Sequence, residues 1–296
     1  MSSSGLDVAR LREDICEVGR RLWARGFVAS NDGNISVRLS ADRLLVTPTS
    51  VSKGFMSPDM MVVTDMDGAL VEGAPGRRAS SELLMHLVAY RHRPDVHAVV
   101  HAHPPQATGF AVAGIPLDRA VLAEVVTTLG SIPIAAYGTP STPELPAAVE
   151  PWVKTHDGIL LANHGALALG ADLFAAYYKM ETIEHFARIS LVARTLGREH
   201  LLSRDEVDRL QALRNRYGIA SPAPVCEDDP GPGDADRECQ AVVAPVADER
   251  LVPDGAFGPG RVAIGNHGEI QLTYGQLATL IDEAVRHLAT VRTGGR

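Results

Sequence analysis

The stretch from about residue 33 to residue 73 does most to limit what this chain can fold into. "ISVRLS" and "RLLVTPTS" alternate apolar and polar residues as paired strands do, and "MVVTDMDGALVEG" repeats the pattern around Asp67-Gly68, a dipeptide suited to a tight hairpin turn. That turn accounts for Asp65 and Asp67 without an acidic metal site. Strands joined by short turns pair antiparallel, because a parallel neighbour needs a crossover of a dozen or more residues. Helical patterns bracket the stretch. Ile15, Val18 and Leu22 recur at helical spacing between Leu11 and about Arg25, with a stop at Gly26. "SSELLMHLVAYRHR" has a serine cap, an acidic residue in its first turn and basic residues at its end before Pro94. The expected fold is therefore α/β, a central, mainly antiparallel sheet flanked by helices.

Beyond Pro94 comes a strand rich in histidine, a helical stretch near 118 to 129, and the strands "SIPIAAY" and "GILLAN". "ADLFAAYYKMETIEHFARISLVARTLG" reads as a long helix ending at Gly197, and "SRDEVDRLQALRNRYG" as one more. At Ser221 the composition turns to Pro, Gly and Asp without a sustained period. We expect a catalytic domain over 1–218, a flexible linker over 219–262 and an amphipathic helical tail over 263–296. Leu277, Leu280, Ile281, Ala284, Val285, Leu288 and Val291 form one apolar face of that tail.

With 296 residues, 45% of them hydrophobic and 22% charged, the chain has the composition of a folded protein and the length for one or two domains. Its net charge of -8 leaves no broad basic face for nucleic acid or anionic lipid. The N-terminus lacks the pattern of a secretory leader and no apolar run reaches membrane-spanning length, so a cytoplasmic location is expected. Cys16, Cys226 and Cys239 are too few and too scattered for a disulfide framework or a metal knuckle.

The chemistry concentrates in "HAVVHAHPP", residues 97–105. Side chains two apart on a strand share a face, so His101 and His103 can clip one ion. His97 is in phase but about 13 Å from His101 at ~3.3 Å per residue, which leaves it a structural or rim position. A catalytic tetrahedral site needs a third protein ligand, and "LLANHGALA" offers His164, followed by a glycine suited to a sharp turn. Glu82 follows Ser80 and Ser81 at a helix start, where hydroxyls and free amides attract anions and the carboxylate can serve as ligand or base. Taken alone, Ser-Ser-Glu is equally a helix cap.

"NDGNISVR", "VTPTS", "SSELLMH", "VVHAHP" and "LLANHGAL", in this order over roughly residues 10 to 218, resemble the class II aldolase/adducin family, in particular its L-fuculose-1-phosphate aldolases. The resemblance implies a three-layer fold and a zinc ion, or another divalent metal, on His101, His103 and His164. It implies Glu82 as acid/base and additional metal ligand, and a substrate phosphate held by Gly33, Asn34, Thr49, Ser50, Ser80 and Ser81. It further implies a homotetramer with sites between subunits, cleaving a ketose 1-phosphate to dihydroxyacetone phosphate and a small aldehyde such as lactaldehyde. Burial beside a substrate anion would then have to raise the pKa of Glu82, against the zinc charge, for it to cycle near neutral pH. Ser50 stands where the aldolase motif has glycine. "AVLAEVVTTLG" lacks a tyrosine that reaches the neighbouring site in the aldolases, which leaves Glu124 as the nearest polar substitute.

Pentulose-phosphate 4-epimerases, dehydratases and decarboxylases of the family share the metal frame, although the epimerases tend to carry Ser-Ser-Asp. A non-enzymatic adducin-like interaction domain would lose the histidines retained here. The linker and tail resemble the encapsulation peptides of bacterial microcompartment cargo enzymes. The expected partner of the tail is either a shell protein or the enzyme's own tetramer.

Overall fold

The computed structural model describes residues 7–216 and, farther along, 251–252, 263–264 and 270–273. Helix α1 (Val8–Ala24) is capped by the Asp7 carboxylate and buries Ile15, Val18 and Leu22. Strands β1 (Asn34–Arg38), β2 (Leu44–Val46), β3 (Val62–Thr64) and β4 (Leu70–Glu72) then follow as the expected antiparallel series. The Asp67-Gly68 turn closes as the sequence implies. Asp65 Oδ1 accepts from the amides of Asp67 and Ala69 at 2.9 and 2.8 Å, so it is committed to turn geometry.

Next come α2 (Leu83–His92), β5 (Ala98–Ala102), α3 (Pro105–Val112), α4 (Ala123–Thr128), β6 (Ile134–Ala135) and α5 (Glu144–Val153). Strands β7 (Gly158–Leu161) and β8 (Gly165–Gly170) and helices α6 (Leu173–Thr195) and α7 (Arg204–Arg216) complete this part. The eight strands form one sheet in the order β4-β3-β2-β1-β5-β8-β7-β6. Within this sheet only β6 and β7 pair parallel, and α5 supplies the crossover between them.

Alternation along the strands sorts the core into two layers. Ala98, Val100 and Ala102 of β5 join α1, α3 and α6 on one face. Val99 joins α2 and α5 on the other, together with Leu44, Val46, Leu167 and Leu169. The result is helix, sheet, helix.

Helices α3 and α5 and strand β8 are absent from the sequence expectations. Pro104 and Pro105 precede α3, Pro143 precedes α5 and Pro151 lies inside it, so prolines that read as breakers mask both helices. The helix expected from Ser80 starts later, with Glu82 as its N-cap, and Ser80 Oγ instead accepts from the Glu82 amide at 3.3 Å.

The chain divides into two compact units, Met1–Val243 and Ala244–Arg296. In the second, β9 (Leu251–Val252), β10 (Ala263–Ile264) and β11 (Ile270–Thr273) form a small sheet in the order β10-β11-β9. Most of the expected linker, and residues 274–296 of the expected helical tail, lie outside the described residues. No helix among the described residues is long and apolar enough to cross a membrane.

Candidate metal centre and substrate site

His101 is the penultimate residue of β5, on the α2 face of the sheet, fully buried, with Asn34 of β1 as its cross-strand neighbour. Strand β1 presents Asn34, Ser36 and Arg38 at two-residue spacing, and α2 with its N-cap presents Glu82, His86 and Tyr90 at four-residue spacing. The two stripes meet. Asn34 Nδ2 donates to Glu82 Oε2 at 2.9 Å, and Ser36 Oγ lies 2.7 Å from His86 Nδ1 and 2.8 Å from the Tyr90 hydroxyl. The Arg38 guanidinium sits 4.8 Å from the Tyr90 ring centre. Burial pushes His86 down to about 3, against the nearby Glu82 charge, so this imidazole stays neutral.

His103 lies just past β5, its amide donating to the Phe27 carbonyl at 2.9 Å. His164 occupies the turn between β7 and β8. The sharp turn expected at the glycine is made instead by Asn163, at φ 55°. Gly165 serves a different need, since a Cβ there would meet the Ala102 carbonyl oxygen at 2.5 Å and His103 Cδ2 at 2.6 Å.

The three imidazoles stand with ring centres 4.8 to 4.9 Å apart, and one ring nitrogen from each falls within 4.8 Å of the others. Their hydrogen bonds assign the protons. His101 Nδ1 donates to the Ala166 carbonyl at 2.9 Å, and His103 Nδ1 faces Asp32 Oδ2 at 3.4 Å. Burial lowers the pKa of both rings and favours their neutral forms, so each Nε2 carries a bare lone pair. Those two nitrogens are 3.1 Å apart. Lone pairs facing at that distance repel unless a cation lies between them, and tetrahedral zinc with bonds of about 2.0–2.1 Å spaces its nitrogens by about 3.3 Å. His164 Nε2 lies 3.1 Å from Glu82 Oε1, and His164 Nδ1 is buried without a partner among the described residues. This donor set fits a divalent ion.

Glu82 completes the group, its Oε2 3.5 Å from His101 Nε2. Burial works to raise its carboxyl, but the hydrogen bond with His164 and the surrounding imidazole cluster outweigh it and bring Glu82 to about 2.

Of the residues expected at the phosphate, Thr49 and Ser80 are drawn together by backbone pairing. The Thr49 amide donates to Arg78 O at 3.0 Å, the Ser80 amide to Thr47 O at 3.2 Å, and Pro48 bridges Ala79. Ser81 is exposed at the same edge. Ser50 adopts φ 60°, a left-handed conformation that glycine would take without strain. Gly33 has φ 72°, and a Cβ there would meet Val28 Cγ1 at 2.7 Å and the His101 carbonyl oxygen at 2.8 Å. Asn34 contacts Glu82 rather than the outer loops.

His97 is exposed and bonds the Ala171 carbonyl at 3.2 Å, clear of the centre. Glu124 is exposed on α4 and makes no side-chain hydrogen bond or ion pair among the described residues. The sequence expectations miss Asp32, which orients His103, and Lys53, a buried cation with its ammonium on the Asn31 and Val51 carbonyls. Asp32 reads as an ordinary turn residue, and nothing local marks Lys53 as buried.

Comparison with known proteins agrees with this construction. Residues 13–191 match the Class II Aldolase and Adducin N-terminal domain. A 5-deoxy-D-ribulose 1-phosphate aldolase from Bacillus thuringiensis serovar kurstaki is 32% identical over 208 residues, 70% of this chain and 96% of its own length. A 3-oxo-tetronate 4-phosphate decarboxylase from Haemophilus influenzae is 31% identical over 182 residues, 60% of this chain and 85% of its own. A solved L-fuculose 1-phosphate aldolase superposes with a TM-score of 0.65 at 28% identity, covering 74% of this chain and 98% of that one. The chain thus belongs to the class II aldolase and adducin family and is an enzyme of its metal-dependent lyase branch.

Proposed function

We propose that this enzyme is a zinc aldolase that cleaves a ketose 1-phosphate of the L-fuculose type between C3 and C4, releasing dihydroxyacetone phosphate and a small aldehyde such as lactaldehyde. The observation that carries the reading is the Glu82 carboxylate set 3.1 Å from His164 and 3.5 Å from His101, beside two bare imidazole nitrogens. His101, His103 and His164 would hold the ion, with Glu82 as a further ligand while no substrate is present. The bound ion supplies Lewis-acid stabilisation of the negative charge that develops on C–C cleavage.

In this mechanism the C4 hydroxyl loses its proton, the C3–C4 bond breaks, and its electron pair forms the enediolate of the three-carbon product. On substrate binding Glu82 would give up its place as a ligand and take up a proton from solvent, which it then delivers to C3 while Asn34 Nδ2 holds the carboxyl in line. Glu124 of a neighbouring subunit is the candidate acceptor for the hydroxyl proton, within a homotetramer whose sites lie between subunits. Gly33, Asn34, Thr49, Ser50, Ser80 and Ser81 line the phosphate end. In the same proposal, the segment beyond residue 218 docks either on this tetramer or on a microcompartment shell protein.

A panel of ketose 1-phosphates and 5-phosphates, with enzymatic detection of triose phosphate, tests the reading. Triose phosphate from a 1-phosphate is the expected result. Carbon dioxide from a 3-oxo acid 4-phosphate, with no triose phosphate from any ketose, would assign the enzyme to the decarboxylases instead.

A further inference from the structure

The chain uses lysine at only three positions, 53, 154 and 179. Lys154 is exposed, and Lys179 pairs with Asp157 at 2.7 Å. Lys53 differs from both. It is 1% exposed, and among the described residues no carboxylate lies within ion-pair distance of its ammonium. Its Nζ donates to two neutral acceptors, the Val51 carbonyl at 2.5 Å and the Asn31 carbonyl at 3.1 Å. An ammonium has three protons to donate, so one remains uncommitted. Asp32 and Glu82 act on it only through space.

A buried charge without an ionic partner is costly, and a methionine would fill the same space without that cost. The two carbonyls that Lys53 grips show what the charge serves. One belongs to the loop ending in Gly33 and Asn34, the other to the loop carrying Thr49 and Ser50, so the ammonium lies where the two loops assigned to the phosphate converge. We propose that Lys53 is the counter-charge for the substrate's phosphate group, and that its carbonyl bonds fix the spacing of the two loops that receive it. The inference rests on the reading of the substrate as a sugar phosphate. Burial lowers Lys53 to about 8, partly opposed by Asp32 and Glu82, so it remains mostly protonated at neutral pH. A phosphate dianion would supply the partner that the fold withholds.

The test uses the full zinc-loaded chain and inorganic phosphate as probe, with affinity measured by calorimetric titration. Lys53→Gln retains an N–H donor but loses the charge. The expected result is phosphate binding weakened at least about tenfold, with a shallower dependence on salt because one cation has been removed, and with bound metal unchanged. A folded Lys53→Gln chain that binds phosphate as tightly as the unsubstituted one would overturn the inference and leave Lys53 a loop clamp, with the sugar-phosphate reading intact. An unsubstituted chain that binds no phosphate would overturn both. If Lys53→Gln does not fold, lysine-selective labelling of the unsubstituted chain decides the matter. The Lys53 Nζ signal should then shift saturably with phosphate and not with chloride at equal ionic strength. A Lys53 signal unmoved while phosphate binds would overturn the inference.

Discussion

Glu82 has two demands on one carboxylate: it must sit among imidazoles, and it must carry a proton. Glu82→Gln preserves the shape and the contact to His164 but cannot carry that proton. Turnover should fall by roughly 10² to 10⁴-fold with most of the metal retained, and steady-state rates near those of the unsubstituted enzyme would move the role elsewhere. Gly33 makes a second residue-scale prediction. Gly33→Ala adds left-handed strain of about 1–2 kcal/mol and a clash with backbone beneath His101, so thermal or urea unfolding should report a loss of about 2–5 kcal/mol. An unchanged midpoint would contradict the close approach. Lys53 gives a pH signature with a definite sign. Its folded pKa of about 8 lies below the 10.5 of a free lysine, so the unfolded chain holds more protons between those values. Relative to Lys53→Met, the unsubstituted chain should therefore gain stability as pH rises from 8 to 10.5, by on the order of 3 kcal/mol. At this scale the sequence displays His101 and His103, because strand alternation alone puts them on one face. It hides Asp32 and Lys53, whose roles depend on which loops pack together.

Elements turn that residue pattern into a site. The meeting of Asn34, Ser36 and Arg38 with Glu82, His86 and Tyr90 fixes α2 against β1 and thereby sets the height of the Glu82 carboxylate beside His101. The antiparallel series β1 to β4 is legible from alternation and turn residues, whereas α3 is concealed by its prolines. Without a side-chain cap of its own, α3 takes one from α6: Glu184 accepts from the amides of Gln106 and Ala107 at 3.1 and 2.8 Å, just beyond His103. Glu184→Ala should cost about 2–3 kcal/mol in urea unfolding by stranding those donors, and an unchanged midpoint would show the cap to be dispensable. Burial raises the Glu184 carboxyl, against the pull of those two amides. Its contribution to stability is thus fully present below the unfolded carboxylate range and declines as pH rises through the raised value.

On the scale of the whole molecule, residues 13–191 carry the family match, and the one large sheet and both core layers lie within the first unit. A chain ending at residue 218 should accordingly keep its fold and its metal. If the proposed tetramer forms, its loss on truncation, and with it the activity of sites between subunits, would assign the C-terminal segment to that assembly. An unchanged assembly with activity kept, together with capture of the segment by shell protein, would assign it to the shell. The family and the antiparallel frame are visible in the order of five motifs. The substrate is not, because aldolase and decarboxylase relatives match this chain at 32% and 31% identity and differ in chemistry. Metal content tests the centre itself most directly. Purified without chelator and analysed by mass spectrometry, the chain should hold about one divalent ion, and folded His103→Ala should hold almost none. A metal-free unsubstituted chain, or a His103→Ala chain with its full complement, would contradict the assignment of His101, His103 and His164 to a single ion.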